Sequence, residues 1–266
     1  LFLLNLPDWI YMIASEYSRM AELEDQHWWY RALRRRVLKA LCAAVGDASA
    51  PRVLDAGCGS GGMLKAVGTV LPQTDRVGLD FMQEALESSC NRAQSALLGG
   101  SVNALPLRSE SFNAVISTDV IYHRDVSDAA AVQEFQRVLR PGGTLILTVA
   151  AFESLRGQHD VAVHTARRYR REQIVALLEQ AGFLQVRARY SFHWLFLPLF
   201  LSRRLSSASS EAAPDEQSDV GRGPRWLNAV LFAVCGLDDW ISRWLPVPFG
   251  TSVFATATAG PAQDGS

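Results

Sequence analysis

The chain is 266 residues long, balances 26 Lys plus Arg against 27 Asp plus Glu, and is 48% hydrophobic. This excludes a disordered polymer, argues against a dedicated nucleic-acid binder, and leaves enough length to bury a sizeable core. Four widely spaced cysteines (42, 58, 90 and 235), with no CxxC pair and no histidine at ligand spacing, argue against a disulfide scaffold or a zinc site, and no metal is expected.

The opening LFLLNLPDWIYMIA is apolar but contains Asn5, Pro7 and Asp8. It lacks the basic lead and small-residue cleavage site of a signal peptide, so a cytoplasmic location is expected. Residues 8–45 read as helical, with three-and-four spacing through ALRRRVLKALCAAV behind an aromatic cluster, His27, Trp28, Trp29 and Tyr30. Residues 1–50 therefore form an N-terminal helical cap. Within it, the run Arg34, Arg35, Arg36 reads as a solvated helix face with at most one Arg turned inward.

From residue 51 strands and helices alternate. PRVLDAG predicts a strand, GGMLKAVGTVL a helix, DRVGLD a strand and FMQEALESSCNRAQSAL a helix. After SVNALPLRSESF come the strand NAVISTDVI, the helix DAAAVQEFQRVL, the break RPGG and the strand TLILTVA. The helix RREQIVALLEQAGF and the strand LQVRARYSF follow, and TSVFATATA at 251–259 returns to strand character. This order implies a parallel sheet with helices on both faces, a core of 51–192 plus 251–259.

Residues 193–250 interrupt that core as an aromatic-rich insertion. It holds four of the seven Trp (194, 226, 240, 244), whereas none lies between 50 and 190. Residues 206–225 read as a mobile loop and 260–266 as a disordered tail. Two apolar runs, 192–201 and 226–237, fall short of the roughly 20 residues that cross a bilayer. Each can line a pocket or lie on a membrane, so peripheral contact with the inner membrane face through 193–250 stays open. The 24 Arg against 2 Lys hint at a GC-rich genome.

VLDAGCGSGG ends a strand and opens a helix, so Gly57, Gly59 and Gly61 let the backbone turn sharply and approach a ligand. The loop also matches the dinucleotide pattern GxGxxG, and Asp80 at the end of the next strand suits a ribose diol in either reading. Asp55 separates the two readings. A carboxylate at the loop mouth opposes a pyrophosphate but suits a ligand with an ammonium and a sulfonium, as in S-adenosylmethionine.

Through Asp55-Ala-Gly57-Cys-Gly59-Ser-Gly61, VGLD, NALPLRSESFNAVIS and LRPGG, the chain resembles the class I S-adenosylmethionine-dependent methyltransferases over about residues 50–192. HWWY and HTARRY resemble a bacterial subgroup, several of which act on secondary metabolites, glycans or lipids. The resemblance implies a doubly wound α/β fold with seven strands in the order 3-2-1-4-5-7-6, the last antiparallel. It puts Asp55 and the loop glycines around the methionine part of the cofactor, Asp80 on the ribose, Phe81 beside the adenine, and Asn103 and Ala104 at the adenine edge, where the family usually has Asp-Ala. Asn113 replaces an Asp commonly found after Phe. Thr118 and Trp29 are counted with the cofactor residues, Trp29 as part of an aromatic cover that could equally be core packing.

Ligands of a parallel sheet sit beyond the carboxyl ends of its strands. That rule brings Thr118, Asp119, Tyr122 and His123, then His159, Asp160, His164, Arg167, Arg168 and Tyr169, to one edge. The insertion opens on that edge as a helical lid or pocket wall. His123, His164 and Tyr169 are the candidate catalytic residues, the histidines as bases if the acceptor must lose a proton. His123 could instead hold its loop, Asp119 could cap a turn, and the HTARRY loop could be structural or could hold an anionic substrate group. The leading reading is methyl transfer to a small-molecule or lipid-like acceptor with an apolar part. The alternatives are an NAD(P)-dependent oxidoreductase and a non-catalytic membrane-surface module with a vestigial core.

Overall fold

Leu33, Val37, Leu41 and Val45 recur at helical spacing and form the buried face of α1 (Trp28–Val45). The structure, a computed structural model, describes residues 24–46, 48–157, 160–161, 164–206 and 224–261. The readings of residues 1–23, of most of the 206–225 loop, of His159 and of the tail beyond 261 lie outside the described residues. Beyond α1 the chain runs β1 (Arg52–Ala56), α2 (Gly62–Val70), β2 (Asp75–Asp80), α3 (Gln83–Ala93), β3 (Ala96–Gly99), β4 (Phe112–Thr118) and α4 (Asp128–Val138). It continues through β5 (Leu139–Ala150), α5 (Arg171–Gln180), β6 (Phe183–Ser191), α6 (His193–Ser206), α7 (Arg225–Ile241) and β7 (Ser252–Ala259).

The sheet order is β3-β2-β1-β4-β5-β7-β6, with β7 antiparallel to both β5 and β6, as the resemblance implies. Strand alternation splits the core into two layers. Val53, Ala114, Ile116, Ile146 and Phe254 face α1 and α2, whereas Leu54, Val115, Leu145 and Leu147 face α4 and α5. Two elements differ from expectation. The helix read over 81–97 stops at Ala93, where Gln94 turns to φ 46°, and Ala96–Gly99 pair with Val77–Asp80 as β3. Ala and Leu carry no strand preference, so only the exposed backbone of β2 makes these four residues a strand. The RPGG break lies inside β5, which starts at Leu139 paired with Phe112 ahead of a register shift.

The insertion leaves and rejoins the sheet at one point, where the Thr251 N–H donates to Ser191 O at 3.0 Å. Of its two helices, α6 stands beside the turn at Glu153–Leu155, with Phe196 stacked edgewise on Phe152. The other, α7, lies along α1, where Trp28 N–H donates to Asn228 Oδ1 at 3.0 Å. This contact overturns the reading of the arginine run as a solvated face. Arg36 is buried, its Nε donates to Asp239 and its Nη2 lies 3.5 Å from Asp238 Oδ2, while Arg35 meets Asp239 Oδ2 at 2.9 Å. Asp238 also accepts from the Phe192 and His193 N–H groups and sits 2.9 Å from His193 Nδ1. The carboxylates that neutralise the arginines lie some 200 residues away in the sequence, which is why the run reads as surface when taken alone.

Candidate cofactor and acceptor site

Past β1 the backbone turns through Gly57, Gly59 and Gly61 with φ of 86°, 51° and 80°. At Gly57 a Cβ would fall 2.2 Å from Val120 Cγ2, and at Gly61 one would fall 2.4 Å from Ser89 Oγ. Both positions therefore need glycine for conformation and for space. The Gly57 and Cys58 N–H groups donate to Leu79 O at 2.7 and 3.0 Å, tying the loop to the end of β2. There Asp80 accepts from Gly59 N–H at 2.9 Å and from Met82 N–H at 3.0 Å. Burial nonetheless holds its carboxyl above the ordinary range, against those backbone hydrogen bonds.

Asp55 lies inside the end of β1. It is 1% exposed, and neither carboxylate oxygen has a hydrogen-bond partner. Burial pushes its pKa well up, and Asp80 and Glu24 add like-charge repulsion. A buried carboxylate without a partner is costly unless a cation joins it. The ammonium and sulfonium of S-adenosylmethionine supply cations of that kind, so the donor set fits this cofactor.

Glu24 reaches the loop from ahead of α1. It accepts from Ser60 Oγ at 2.6 Å and from Arg92 Nη1 at 2.8 Å. Its neighbour Asp25 pairs with Arg34 and Lys65 at 3.0 Å, and these cations with Arg92 outweigh burial and hold its pKa at about 2. Neither Glu24 nor Arg92 carries a sequence signal, because their partners are brought together only by the fold.

Phe81, expected beside the adenine, is 73% exposed next to Asp80. Asn103 also braces a neighbouring loop. Its Nδ2 donates to Asp125 O at 2.9 Å and its Oδ1 accepts from Ser127 N–H at 2.9 Å, so both ends of the amide hold the loop after β4. The Ala104 N–H donates to Ser101 O at 3.2 Å. Thr118 ends β4, half-buried. Trp29 stacks on Phe192 with centroids 5.9 Å apart and packs with the α1 core, so its ring serves the junction between α1 and the insertion. Its neighbour Tyr30 instead comes close enough to Tyr122 to bear on its ionisation.

The loops after β4 and β5 are joined. His123 bridges to Thr165, and Arg167 donates to the His123 and Val126 carbonyls and lies 3.3 Å from Asp128. The backbone of His164, at φ 52°, accepts from Arg124 N–H at 3.2 Å. His123 and the His164 loop therefore meet at the carboxyl edge of the sheet. The Tyr169 hydroxyl donates to Asp128 Oδ2 at 2.7 Å, and burial followed by this carboxylate drives its pKa far up, which makes it a post between the two loops. Arg168 spans to Asp160 in a two-pronged pair at 2.8 and 3.0 Å.

Asp119, which could be read as a turn cap, stands out here. It leaves β4 at φ 60° and is half-buried at the carboxyl end of that strand. Burial, only partly offset by the Thr148 hydroxyl and the Arg168 guanidinium, pushes its pKa to about 7. Buried Tyr122 feels Asp119, Arg168, Asp160 and Tyr30 together. Sequence could place Asp119 at the edge but could not supply its environment.

This fold and site define a class I S-adenosylmethionine-dependent methyltransferase core. Residues 54–147 match the methyltransferase domain family. Among curated proteins, the malonyl-[acyl-carrier protein] O-methyltransferase of Enterobacter lignolyticus is 35% identical over 144 residues, 54% of this chain and 55% of that protein. The probable tRNA methyltransferase 9B of Homo sapiens is 39% identical over 103 residues, 38% of this chain and 22% of that protein. The chain thus spans about a fifth to about half the length of these relatives. In fold it is similar to the methyltransferase complexed with the Haloferax volcanii Trm112 methyltransferase activator, with a TM-score of 0.63 at 19% identity, covering 97% of this chain and 99% of that one. With a tRNA methyltransferase among these relatives, the sequence argument against a nucleic-acid partner finds no support in them. No described helix is long and apolar enough to cross a membrane.

Proposed function

We propose that the protein transfers a methyl group to a small-molecule acceptor with an apolar part, a secondary metabolite, glycan or lipid-like compound. The observation that carries the cofactor half of this reading is Asp55, buried with both oxygens unpartnered. Bound S-adenosylmethionine supplies the electrophilic methyl group. Asp55 with the glycine loop would hold the methionine end, and Asp80 with Phe81 would hold the nucleoside end. Positive charge disappears at the sulfonium as the methyl group leaves, so a water-poor site and fixed orientation supply much of the rate.

On the acceptor side, Asp119 and His123 are the proposed groups facing the nucleophile. A hydroxyl acceptor must lose its proton, and a carboxylate held near 7 suits that task at neutral pH. Tyr169 and Arg167 are proposed to position these loops, and His164 to contribute to the acceptor-side wall. The aromatic side chains of α6 and of the 192–196 segment supply the apolar character.

Titration calorimetry tests the reading with one variant. The wild-type chain is expected to bind S-adenosylmethionine and S-adenosylhomocysteine and to ignore NAD. Asp55→Asn should weaken the sulfonium cofactor about tenfold or more, and the neutral product less. Failure to bind either ligand at millimolar concentration, or binding of NAD instead, overturns the proposal.

A further inference from the structure

Away from the cofactor edge, the sheet face that carries α1 and α2 is left open over β6 and beside Thr256 of β7. Alternation along β6 turns Tyr190 toward the α5 layer and Arg187 and Arg189 toward this open face. Together with α1 and α7 they line an open cleft of about 580 Å³. Its cations are Arg35, Arg36, Lys39, Arg187, Arg189 and Arg243, against the single carboxylate Asp239. Asp239 is already taken by Arg35 and Arg36. No carboxylate lies within salt-bridge distance of Lys39, Arg187, Arg189 or Arg243 among the described residues. At the cleft wall Arg36 has a side chain only 2% exposed, with its Nη1 atom buried and unpartnered. Partial burial, with Arg36 and Arg243 alongside, depresses the pKa of Arg189 despite Asp239. In a chain whose net charge is −1, this concentration of positive charge marks a place for anions.

A second feature adjoins it on α7. Trp226, Val230, Leu237, Trp240 and Trp244 follow one another at spacings of four, seven, three and four, so they share one side of the helix and the turn after it, and all are exposed by half or more. Gly236 and Arg243, on the neighbouring side, already line the cleft. An aromatic-aliphatic stripe flanked by unneutralised cations is the pattern of a helix lying in a bilayer interface, with aromatic rings at headgroup level and cations on lipid phosphates. RNA would be served by the cations but gives no reason for Val230 and Leu237.

We propose that the cleft and the α7 stripe form one docking surface for an anionic membrane, the cleft receiving lipid phosphate groups while the stripe enters the headgroup boundary. This surface is separate from the cofactor pocket and does not depend on the acceptor.

Vesicle flotation of the full chain tests it. Vesicles containing about one third phosphatidylglycerol should carry the protein upward, pure phosphatidylcholine should not, and raising salt from about 0.1 M to about 1 M should release it. The variant R187Q/R189Q/R243Q should lose at least about tenfold in binding, and W240Q/W244Q should lose binding by a separate route. All five positions are exposed, and circular dichroism melting of each variant checks that it folds. Equal binding to neutral vesicles, or wild-type binding by either folded variant, overturns the proposal. So does tRNA or inorganic phosphate binding that the arginine variant abolishes in a chain that does not float, or a dimer that buries the stripe.

Discussion

Asp80 Oδ2 accepts a hydrogen bond from the Gly59 N–H at 2.9 Å, so a side chain at the end of β2 holds the loop that leaves β1. Its other oxygen accepts from Met82 N–H and starts α3. Asp80 thus shapes the glycine loop and the start of α3 by itself.

Removing that carboxylate should have two readable effects. Asp80→Ala leaves two backbone donors short of an acceptor, and stability should fall by about 1–3 kcal/mol in urea unfolding. Cofactor affinity should fall as well, because the loop loses its shape and the ribose its partner. Asp80→Asn, which keeps one acceptor oxygen, should lose less stability but most of the affinity. Equal stability in all three proteins would show that the Gly59 contact contributes nothing.

Asp119 should make stability and activity respond to pH in opposite directions. Its carboxyl is raised from 3.8 to about 7, so the fold favours the protonated form. That contribution to stability is full below about 4 and is lost as pH rises through about 7. Unfolding midpoints measured from pH 4 to 8 should therefore fall more steeply for wild type than for Asp119→Asn. If Asp119 receives a proton from the acceptor, turnover should rise through about pH 7, and the variant should lack that limb. Identical pH profiles would remove Asp119 from both roles.

Asp238 should behave in the reverse sense. His193 and Arg36 hold its carboxyl below the ordinary value despite burial, so its contribution is present above about 4 and is lost as pH falls through the depressed pKa. Asp238→Ala would leave His193 and two backbone N–H groups without this acceptor while Arg36 keeps Asp239, and a loss of about 1–3 kcal/mol is expected near neutral pH. Proteolysis should then cut the insertion before the sheet. A variant as resistant as wild type would mean that Asp239, Asn228 and the apolar contacts hold α7 without Asp238.

The sheet was legible in the sequence because its strands are short apolar runs between glycine-rich turns, and motif order then fixed their arrangement. Ala96–Gly99 escaped because four residues are too few to show a period. In the site, glycines with positive φ announce themselves, and so did Asp55 and Asp80 at strand ends. What sequence could not carry was competition among partners. Asn103 shows nothing in the sequence of the Asp125 carbonyl and Ser127 N–H that its amide also meets. Arg35 and Arg36 look solvated until Asp238 and Asp239 arrive from the other end of the chain. Asp119 looks like any loop aspartate until burial raises its pKa.

The contact between Ser191 O and Thr251 N–H brings the two ends of the insertion together at one point of the sheet. The chain must bring β6 and β7 together across everything between 193 and 250, yet the entropy of that closure grows only logarithmically, at about 0.6 kcal/mol per doubling of length. Added length between α6 and α7 therefore costs the sheet little in closure entropy. The same core can acquire a different outer surface and dock elsewhere without any change in strand register.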